Sequence, residues 1–306
     1  MSDVAILGIF VADLAFEAPR LPVMGETILG EGFRMGPGGK GSNQAVAAAK
    51  AGAGVTFVTR LGTDSFGEIA LKAWGEAGID TGAVIRDETL PTGAAFIFIS
   101  TETRDNAIIV ESGAAGALSP ADVEGARAAI AGARVFITQC EQPLDAARRA
   151  LEIAREAGVA TVFNPAPAVP LPDGFLGLCD YVTPNESEAA TITGLPVETL
   201  DEARAAADRL RAMGAGAAVL TLGEKGALYH DGTVSELVPA FQVAEVRDTT
   251  GAGDAFNGGF ATALAEGRAP LEAVRFACAT ASLSVTRLGT APAMPSRAEI
   301  DALLAS

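Results

Sequence analysis

The regular alternation of short apolar runs with helical patterns limits the folds open to this chain more than any other feature. The apolar, β-branched runs typical of strands are residues 134–138, 159–163, 180–183 and 217–222. The segments with helical periodicity are residues 120–131, 144–157, 186–193 and 201–213. Because a helix between two strands carries the chain back across the sheet, such strands pair in parallel. The sequence therefore predicts an α/β fold with a doubly wound, mainly parallel sheet.

The N-terminal part of the chain predicts one strand of that sheet and a smaller sheet beside it. Residues 4–10 form a continuous apolar run, which is typical of a buried parallel strand, here ending at Asp13. Residues 14–36 are short extended pieces broken by glycine and proline, and residues 94–111 contain a pair of strands. We predict that these two segments form a small β-sheet lid on a main domain of residues 1–13, 37–93 and 112–306.

Composition and charge exclude several classes of function. The formal net charge is −16 at pH 7, which argues against a nucleic-acid backbone as partner. One histidine and three widely spaced cysteines do not supply a zinc cluster or a histidine-based triad. His230 precedes Asp231-Gly232, which predicts an exposed hairpin turn. No signal-like segment and no apolar stretch of membrane-spanning length is evident, so we expect a cytoplasmic protein without a membrane partner.

The stretch Asp-Thr-Thr-Gly-Ala-Gly-Asp-Ala-Phe-Asn at 248–257 predicts a phosphate site at a helix N-terminus. The backbone amides of Gly251, Ala252 and Gly253 would precede an apolar helix, and amides there lack intrahelical partners. Asp254, in the first turn, could take a proton from a substrate hydroxyl while the amides stabilise a transferring phosphoryl group. Alternatively, Asp254 only complements the helix dipole.

A second glycine-rich stretch, Gly-Pro-Gly-Gly-Lys-Gly-Ser-Asn at 36–43, leads into a helical pattern at 44–51. It is not a dinucleotide fingerprint, because it does not follow the first strand directly. It is not a P-loop either, because Gly41 stands where Ser or Thr should follow the lysine. The stretch brings backbone close to a hydroxylated ligand, with Asn43 able to donate and accept. A purely structural glycine turn is the alternative.

Polar residues follow several predicted strands at what would be one edge of the sheet. Asp13 lies at such a strand end, as a ligand contact or as a turn aspartate. Asn185 and Glu188 are three residues apart at a helix start, where they could hold hydrated magnesium or form a capping box. The glycines of residues 221–226 would let an adenine or a phosphate lie against backbone.

Three motifs in this order resemble the ribokinase-like carbohydrate kinase family, of the phosphofructokinase-B type. Gly-Gly-Lys-Gly-Ser-Asn-Gln-Ala at 38–45 resembles its first signature, and the stretch at 248–257 resembles its second. Asn-Glu-Ser-Glu at 185–188 matches its magnesium and phosphate motif. The resemblance runs nearly end to end, and residues 164–168 and 285–289 are similar to the ribokinase branch in particular.

The resemblance implies an ATP-dependent kinase that phosphorylates the primary hydroxyl of a pentose, with ribose as the first choice. Asp254 would be the base, and the amides of Gly251, Ala252 and Gly253 would bind the γ-phosphoryl group. The positions that would hold the sugar are Val11, Asp13, Gly38, Gly39, Lys40, Asn43 and Glu141. Those that would contact ATP are Asn185, Thr221, Gly223, Gly226, Gly253 and Cys278.

The resemblance also implies two metal ions and a homodimer formed through the lid sheets. Glu188 would organise Mg2+ through water. An activating K+ would lie at Asp248, Thr250, Ser284, Arg287, Gly289 and Ala293.

Two positions depart from the family pattern. Val11 stands where an asparagine usually contacts a sugar hydroxyl, and an unpaired hydroxyl there costs roughly 1–3 kcal/mol. Ala293 stands where a hydroxyl-bearing residue is common at the cation site. Because of the first departure, a kinase that acts on another ketose, a sugar acid or a nucleoside remains an alternative function. A non-catalytic sugar or nucleotide sensor on the same fold is the alternative of another class.

Overall fold

Two sheets organise the part of the chain that the computed structural model describes, residues 3–103 and 105–306. The larger sheet has nine strands in the order β13-β12-β11-β10-β9-β8-β1-β4-β5, parallel except at β12 and β13. Its strands are β1 (Val4–Leu7), β4 (Val55–Gly62), β5 (Val84–Asp87), β8 (Val135–Thr138), β9 (Ala160–Phe163), β10 (Tyr181–Val182), β11 (Ala217–Thr221), β12 (Ala227–His230) and β13 (Ser235–Val238).

Alternation along β1 shows why this sheet is buried on both faces. Val4 and Ile6 belong to one apolar cluster, whereas Ala5 and Leu7 belong to another on the opposite face. All four side chains are fully buried, as expected for a central parallel strand.

Helices cover both faces of the larger sheet, which is the layered arrangement of a doubly wound fold. One apolar cluster draws on α1 (Lys40–Lys50), α2 (Ser65–Ala77), α8 (Ala252–Ala265), α9 (Pro270–Ser284) and α10 (Arg297–Leu304). The other draws on α3 (Pro120–Gly125), α4 (Arg127–Ala131), α5 (Leu144–Glu156), α6 (Glu186–Thr193) and α7 (Leu200–Ala212).

The smaller sheet has the order β3-β2-β6-β7 and is antiparallel except between β2 and β6. Its strands are β2 (Val11–Ala18), β3 (Gly32–Gly38), β6 (Thr92–Ser100) and β7 (Asn106–Gly113). The predicted fold class, a mainly parallel doubly wound sheet with a small second sheet, is confirmed.

The prediction of a single first strand up to Asp13 is wrong. β1 ends at Leu7, and Val11 begins a strand of the smaller sheet. The chain leaves the larger sheet at Gly8, where a Cβ would lie 2.6 Å from both the Cα of Gly41 and the side chain of Gln139. Asp13 therefore lies within the smaller sheet, paired with Gly36.

Helix α1 begins four residues earlier than the sequence pattern predicted. Gly39 is its N-cap with φ 87°, a left-handed conformation that favours glycine, so Lys40 to Asn43 form the first helical turn. Strand β13 ends at Val238, and residues 239–250 lead without a regular element to the N-terminus of α8.

His230 is another correction. It is the last residue of the fully buried strand β12 and is only 7% exposed, with its Nε2 2.9 Å from the Asp208 carboxylate of α7. The predicted turn comes directly after it, at Gly232 with φ 86°. No helix in the described ranges combines the length and apolar character that crossing a membrane requires.

Candidate active site

The topology itself locates a ligand site. Chain order reverses between β1 and β8, because the chain moves from β1 to β4 and β5 and then returns to the other side of β1. Open parallel sheets bind ligands beyond the carboxyl ends of their strands at such a switch point. Gly8 follows β1 there, and Gln139, Cys140 and Glu141 follow β8.

The first turn of α1 reaches into this switch point. The backbone N–H of Lys40 donates to Glu141 Oε2 at 2.7 Å. Gly38, immediately before the helix, lies against the side chain of Asp13, and a Cβ at Gly38 would be 2.2 Å from Asp13 Oδ1. Glycine at this position therefore leaves the space that the Asp13 carboxylate occupies.

Helix α8 approaches the same point with its N-terminus. Gly251 is the N-cap, with φ 79°, and Asp254 lies in the first turn with only 6% exposure. Asn43 Nδ2 donates to Asp254 Oδ2 at 3.0 Å, and Gln44 Nε2 donates to Asp254 Oδ1 at 3.1 Å. Asp254 is thus a buried carboxylate fixed from both oxygens, which is more than a dipole complement requires.

The three amides predicted to bind phosphate are not equivalent. The N–H of Ala252 donates to Thr249 O at 3.2 Å and is used within the turn. Beside Gly253 there is open space, since a Cβ built there would meet no atom within 4 Å. An anion can therefore approach the helix N-terminus along the Gly253 side.

Burial governs the electrostatics of these carboxyl groups. It raises the pKa of Asp13 to about 6, and repulsion from Asp254 adds to the rise. It raises the pKa of Glu141 to about 7, although the Lys40 ammonium opposes the rise. It also raises the pKa of Asp254 against the opposing effects of Lys40 and the two amide donors. Burial alone would lower the pKa of Lys40, but the surrounding carboxylates raise it above its usual value.

Three carboxyl groups and one ammonium therefore meet in one small volume. Carboxylates accept hydrogen bonds and an ammonium donates them, so the cluster suits a neutral ligand rich in hydroxyl groups. The thiol of Cys140 adds no nucleophile, because burial raises its pKa to about 12.

Asn185 and Glu188 form the capping box that the sequence left open. Asn185 Oδ1 accepts from the Glu188 N–H at 2.8 Å, and Glu188 Oε2 accepts from the Asn185 N–H at 2.9 Å. Asn185 also bridges to Thr221, which joins this helix start to the end of β11. The capping role does not exclude a ligand role. Lys40 and Asp254 are close enough to Glu188 that their charges affect the pKa of Glu188.

The loop after β11 lies beside α9. Gly223 and Gly226 both have positive φ, 55° and 105°. A Cβ at Gly226 would meet Val238 O at 2.1 Å, so only glycine allows this approach. Cys278 on α9 lies against the same carbonyl, with its Sγ 3.9 Å from Val238 O. The predicted ATP contacts at Thr221, Gly223, Gly226 and Cys278 thus share one neighbourhood.

Two of the predicted cation-site residues, Thr250 and Gly289, contact Asp248 directly. Its carboxylate accepts from the N–H of Thr250 at 2.9 Å and of Gly289 at 3.0 Å. Burial alone would raise the pKa of Asp248, but these hydrogen bonds outweigh burial and the pKa is lowered. Its own N–H donates to Val285 O, beside Ser284 at the end of α9.

The rest of this loop is anchored from α1 and α10. The Lys50 ammonium donates to the carbonyls of Ala291 at 3.3 Å and Met294 at 3.2 Å, on either side of the buried Ala293. The Arg287 guanidinium pairs with Glu299. Asp248 therefore supplies the negative charge among the predicted cation-site residues, while the carbonyls on either side of Ala293 are bound by the Lys50 ammonium.

Sequence reasoning missed an amide cluster behind Asp254. Gln44, Gln139 and Asn164 are buried and hydrogen-bonded to one another, and Gln44 bonds directly to Asp254. The signal in the sequence was a glutamine inside an alanine-rich helical run, where packing alone would favour an apolar residue.

Among the described residues, no group of three or more His, Cys, Asp and Glu side chains has the arrangement of a metal centre. Val11 lies at the start of β2 with 3% exposure and packs with Ile9, Ala95 and Ala115. Val11 and Asp13 are two residues apart in β2 and lie on the same face, so the side chain next to Asp13 on that face is apolar.

Known proteins share both the sequence and the structure of this chain. The profile of the pfkB family carbohydrate kinases matches residues 1–297. A ribokinase of Haemophilus influenzae is 40% identical over 96% of this chain and 95% of its own length. A deoxyribokinase of Salmonella typhi is 37% identical over 96% of each. The structure of Arabidopsis thaliana ribokinase complexed with ribose and ATP has a TM-score of 0.93 and 32% identity, covering 99% of this chain and 98% of that one. The chain belongs to the pfkB family of carbohydrate kinases.

Proposed function

We propose that the protein transfers the γ-phosphoryl group of ATP to the primary 5-hydroxyl of a pentose, with D-ribose as the first candidate. The observation that carries the proposal is Asp254, a buried carboxylate in the first turn of α8 at the topological switch point. The names of the relatives support it, since one is a ribokinase and a similar structure contains ribose and ATP.

Asp254 acts as the base in this proposal. As the hydroxyl oxygen attacks the γ-phosphorus, its proton passes to the carboxylate, and ADP leaves with the electron pair of the broken P–O bond. The N-terminus of α8 stabilises the charge on the transferring group along the open side of Gly253. Asn43 holds Asp254 beside the sugar, and Asp13, Lys40 and Glu141 bind its remaining hydroxyls.

ATP would lie along the loop of residues 221–226 and against α9. Gly223 is exposed and lets the nucleotide approach backbone, Gly226 allows the loop to pack closely on Val238, and Cys278 offers a small buried surface. Mg2+ fits the phosphate end, because Glu188 has a fixed orientation and this ion keeps most of its waters. When bound, Mg2+ neutralises charge on the phosphate oxygens.

K+ activation is part of the same proposal, with Asp248 as the charged ligand. The loop that Asp248 braces adjoins Gly251, the N-cap of α8, so an ordered loop favours an ordered phosphate site. Ala293 supplies no hydroxyl, which leaves its carbonyl and those of the neighbouring loop as the remaining donors.

A 2-deoxypentose is the second candidate substrate. Val11 presents an apolar side chain where the family pattern has an amide, and one relative is a deoxyribokinase. A sugar that lacks one hydroxyl loses no binding free energy beside an apolar side chain, whereas a buried hydroxyl without a partner costs roughly 1–3 kcal/mol.

ATP consumption with Mg2+ and K+ across ribose, 2-deoxyribose, a ketohexose, a sugar acid and a nucleoside tests the proposal. We expect a pentose to give the highest kcat/KM and omission of K+ to lower it. If 2-deoxyribose gives the highest kcat/KM, we would assign this preference to Val11. The variant Val11→Asn should then restore a preference for ribose. Absence of turnover with every compound would contradict the kinase proposal and favour a sugar sensor.

The homodimer belongs to this proposal as well, with the outer face of the smaller sheet as the interface. Phe16 is paired in register with Phe33, and Leu14 with Phe96, so these side chains share one face. Phe16 is 40% exposed and Phe33 55%, and their ring centroids are 4.9 Å apart. Exposed apolar patches of this kind mark interaction sites in soluble proteins. A second copy of the chain can pack on this face with the same face of its own, which makes the interface self-complementary.

Sedimentation of the purified protein tests the interface. We expect a dimer for the unaltered chain and a monomer for Phe33→Lys. Leu195→Lys is the matched control, because Leu195 is also an exposed apolar residue but lies beyond α6, away from this sheet. A monomeric unaltered chain, or a dimer that survives Phe33→Lys, would contradict the proposal.

A further inference from the structure

The buried amides behind Asp254 have only one consistent set of hydrogen-bond directions. Asn164 Nδ2 lies 2.8 Å from the carbonyl oxygen of Thr183, and a carbonyl can only accept. Asn164 must therefore donate there and turn its Oδ1 toward Gln44, whose Nε2 is 3.1 Å away. The direction of the Asn164 amide is thus set by backbone.

The same reasoning fixes Gln44. Since its Nε2 donates to Asn164, its Oε1 must face Gln139, which donates from Nε2 at 2.6 Å. The second hydrogen of Gln44 Nε2 then points at Asp254 Oδ1, 3.1 Å away. Gln44 and Gln139 are fully buried, so no water shell lets either amide turn over.

Asn43, on the other oxygen of Asp254, leaves one of its own polar atoms unused. Its Nδ2 donates to Asp254 Oδ2, but its own Oδ1 is buried with no partner within the described ranges. Asn43 Oδ1 is therefore an acceptor open to a sugar hydroxyl beside Asp254 Oδ2, whereas both polar atoms of Gln44 are already used. The two oxygens of Asp254 are therefore chemically distinct.

We propose that Gln44 is a positioning residue of the phosphoryl transfer, which holds Asp254 Oδ1 as a permanent hydrogen-bond acceptor and leaves Oδ2 to receive the proton of the sugar hydroxyl. This rests on the proposed role of Asp254 as base and goes beyond it. Because a hydrogen bond to the charged form favours ionisation, Gln44 also keeps Asp254 anionic in a buried setting that disfavours charge.

Other charged groups that face Asp254 come from each element around it. Lys40 on α1 is the one cation among them and lowers its pKa. Asp13 on β2, Glu141 after β8 and Glu188 on α6 are acidic, and each senses the charge of Asp254. Removal of the Gln44 donor should therefore raise the pKa of Asp254 further, since nothing else replaces it.

The test compares Gln44→Met with Gln142→Met. Gln142 is an equally buried glutamine near the site, and it bonds to Thr138 and to the Gln139 carbonyl rather than to Asp254. Gln44→Met should lower kcat about ten- to hundredfold and move the acid limb of the kcat/KM profile upward by about one pH unit. Gln142→Met should leave that limb in place.

Sugar binding provides a second readout. Trp74 is the one tryptophan of the chain, and its Nε1 donates to Ser42 in the first turn of α1 at 2.9 Å. Its fluorescence should report sugar binding without ATP. We expect near-normal sugar affinity in Gln44→Met and weakened affinity in Asn43→Ala, because only Asn43 lies on the proton-accepting side.

Gln139→Met guards against a folding defect in Gln44→Met. It removes a neighbouring buried amide but leaves Gln44 donating to Asn164 Oδ1 and Asp254 Oδ1, so the acid limb should move by much less than in Gln44→Met. An unmoved limb in folded Gln44→Met, or an equal shift in Gln139→Met, would overturn the inference, as would equal loss of sugar affinity in Gln44→Met and Asn43→Ala. If Asp254→Asn keeps its activity, the proposed function fails instead, so the two failures are distinguishable.

Discussion

Glu141→Gln should stabilise the protein at pH 8, because the folded chain holds Glu141 in a place that disfavours its charge. The pKa of Glu141 rises from 4.5 to about 7, mainly through burial. At about 1.4 kcal/mol per unit, and allowing for the partial exposure of the side chain, the shift corresponds to about 2–3 kcal/mol. The glutamine oxygen can still accept from the N–H of Lys40, so the loop contact at 2.7 Å survives.

The sign of the pH dependence follows from proton binding. Between pH 4.5 and about 7 the folded protein keeps a proton on Glu141 that the unfolded chain has lost, so stability falls as the pH rises through this window. Below it both states are protonated, and the glutamine variant should gain little.

Urea unfolding at pH 4.5 and pH 8 measures this difference in the free energy of unfolding. Glu76→Gln is the matched control, since Glu76 lies on the surface of α2 with its side chain 70% exposed. It should change stability by less than about 0.5 kcal/mol at both pH values. A Glu141→Gln variant that gains no more at pH 8 than at pH 4.5 would refute the electrostatic reasoning.

Two further substitutions probe the sugar and cation sites. Gly38→Ala places a methyl group 2.2 Å from Asp13 Oδ1, so the carboxylate must move; we expect KM for the sugar to rise at least about tenfold and KM for ATP to stay unchanged. Equal changes in both constants would contradict this. Lys50→Met removes the ammonium that holds the carbonyls of Ala291 and Met294, so half-maximal activation should require more K+. Thermal unfolding with and without K+ gives an independent readout, and an unchanged K+ requirement would exclude this role for Lys50.

The elements of the fold could largely be predicted from the sequence because their signals are local. The predicted helix at 186–193 coincides with α6, where Asn185 caps the first turn and Gly194 follows the last. The predicted positions of strand ends were less accurate where contacts between residues distant in sequence determine them. β1 ends early because Gly8 packs against Gly41, a contact that no local pattern records.

His230 and Gln44 show the same limit in the site. The turn at Asp231-Gly232 was predicted correctly, but His230 belongs to the buried strand β12 and contacts Asp208 of another helix, which no local pattern indicates. Gln44 was missed because its partners Gln139 and Asn164 are about a hundred residues away and meet it only in the folded sheet.

Turnover of Asp254→Asn tests the central claim most directly. The substitution keeps the shape of the side chain and removes the base, and Trp74 fluorescence can verify that the sugar still binds. We predict a fall in kcat of about a hundredfold or more with sugar affinity retained. Near-normal kcat in a folded, sugar-binding Asp254→Asn variant would show that Asp254 is not the base and would contradict the account.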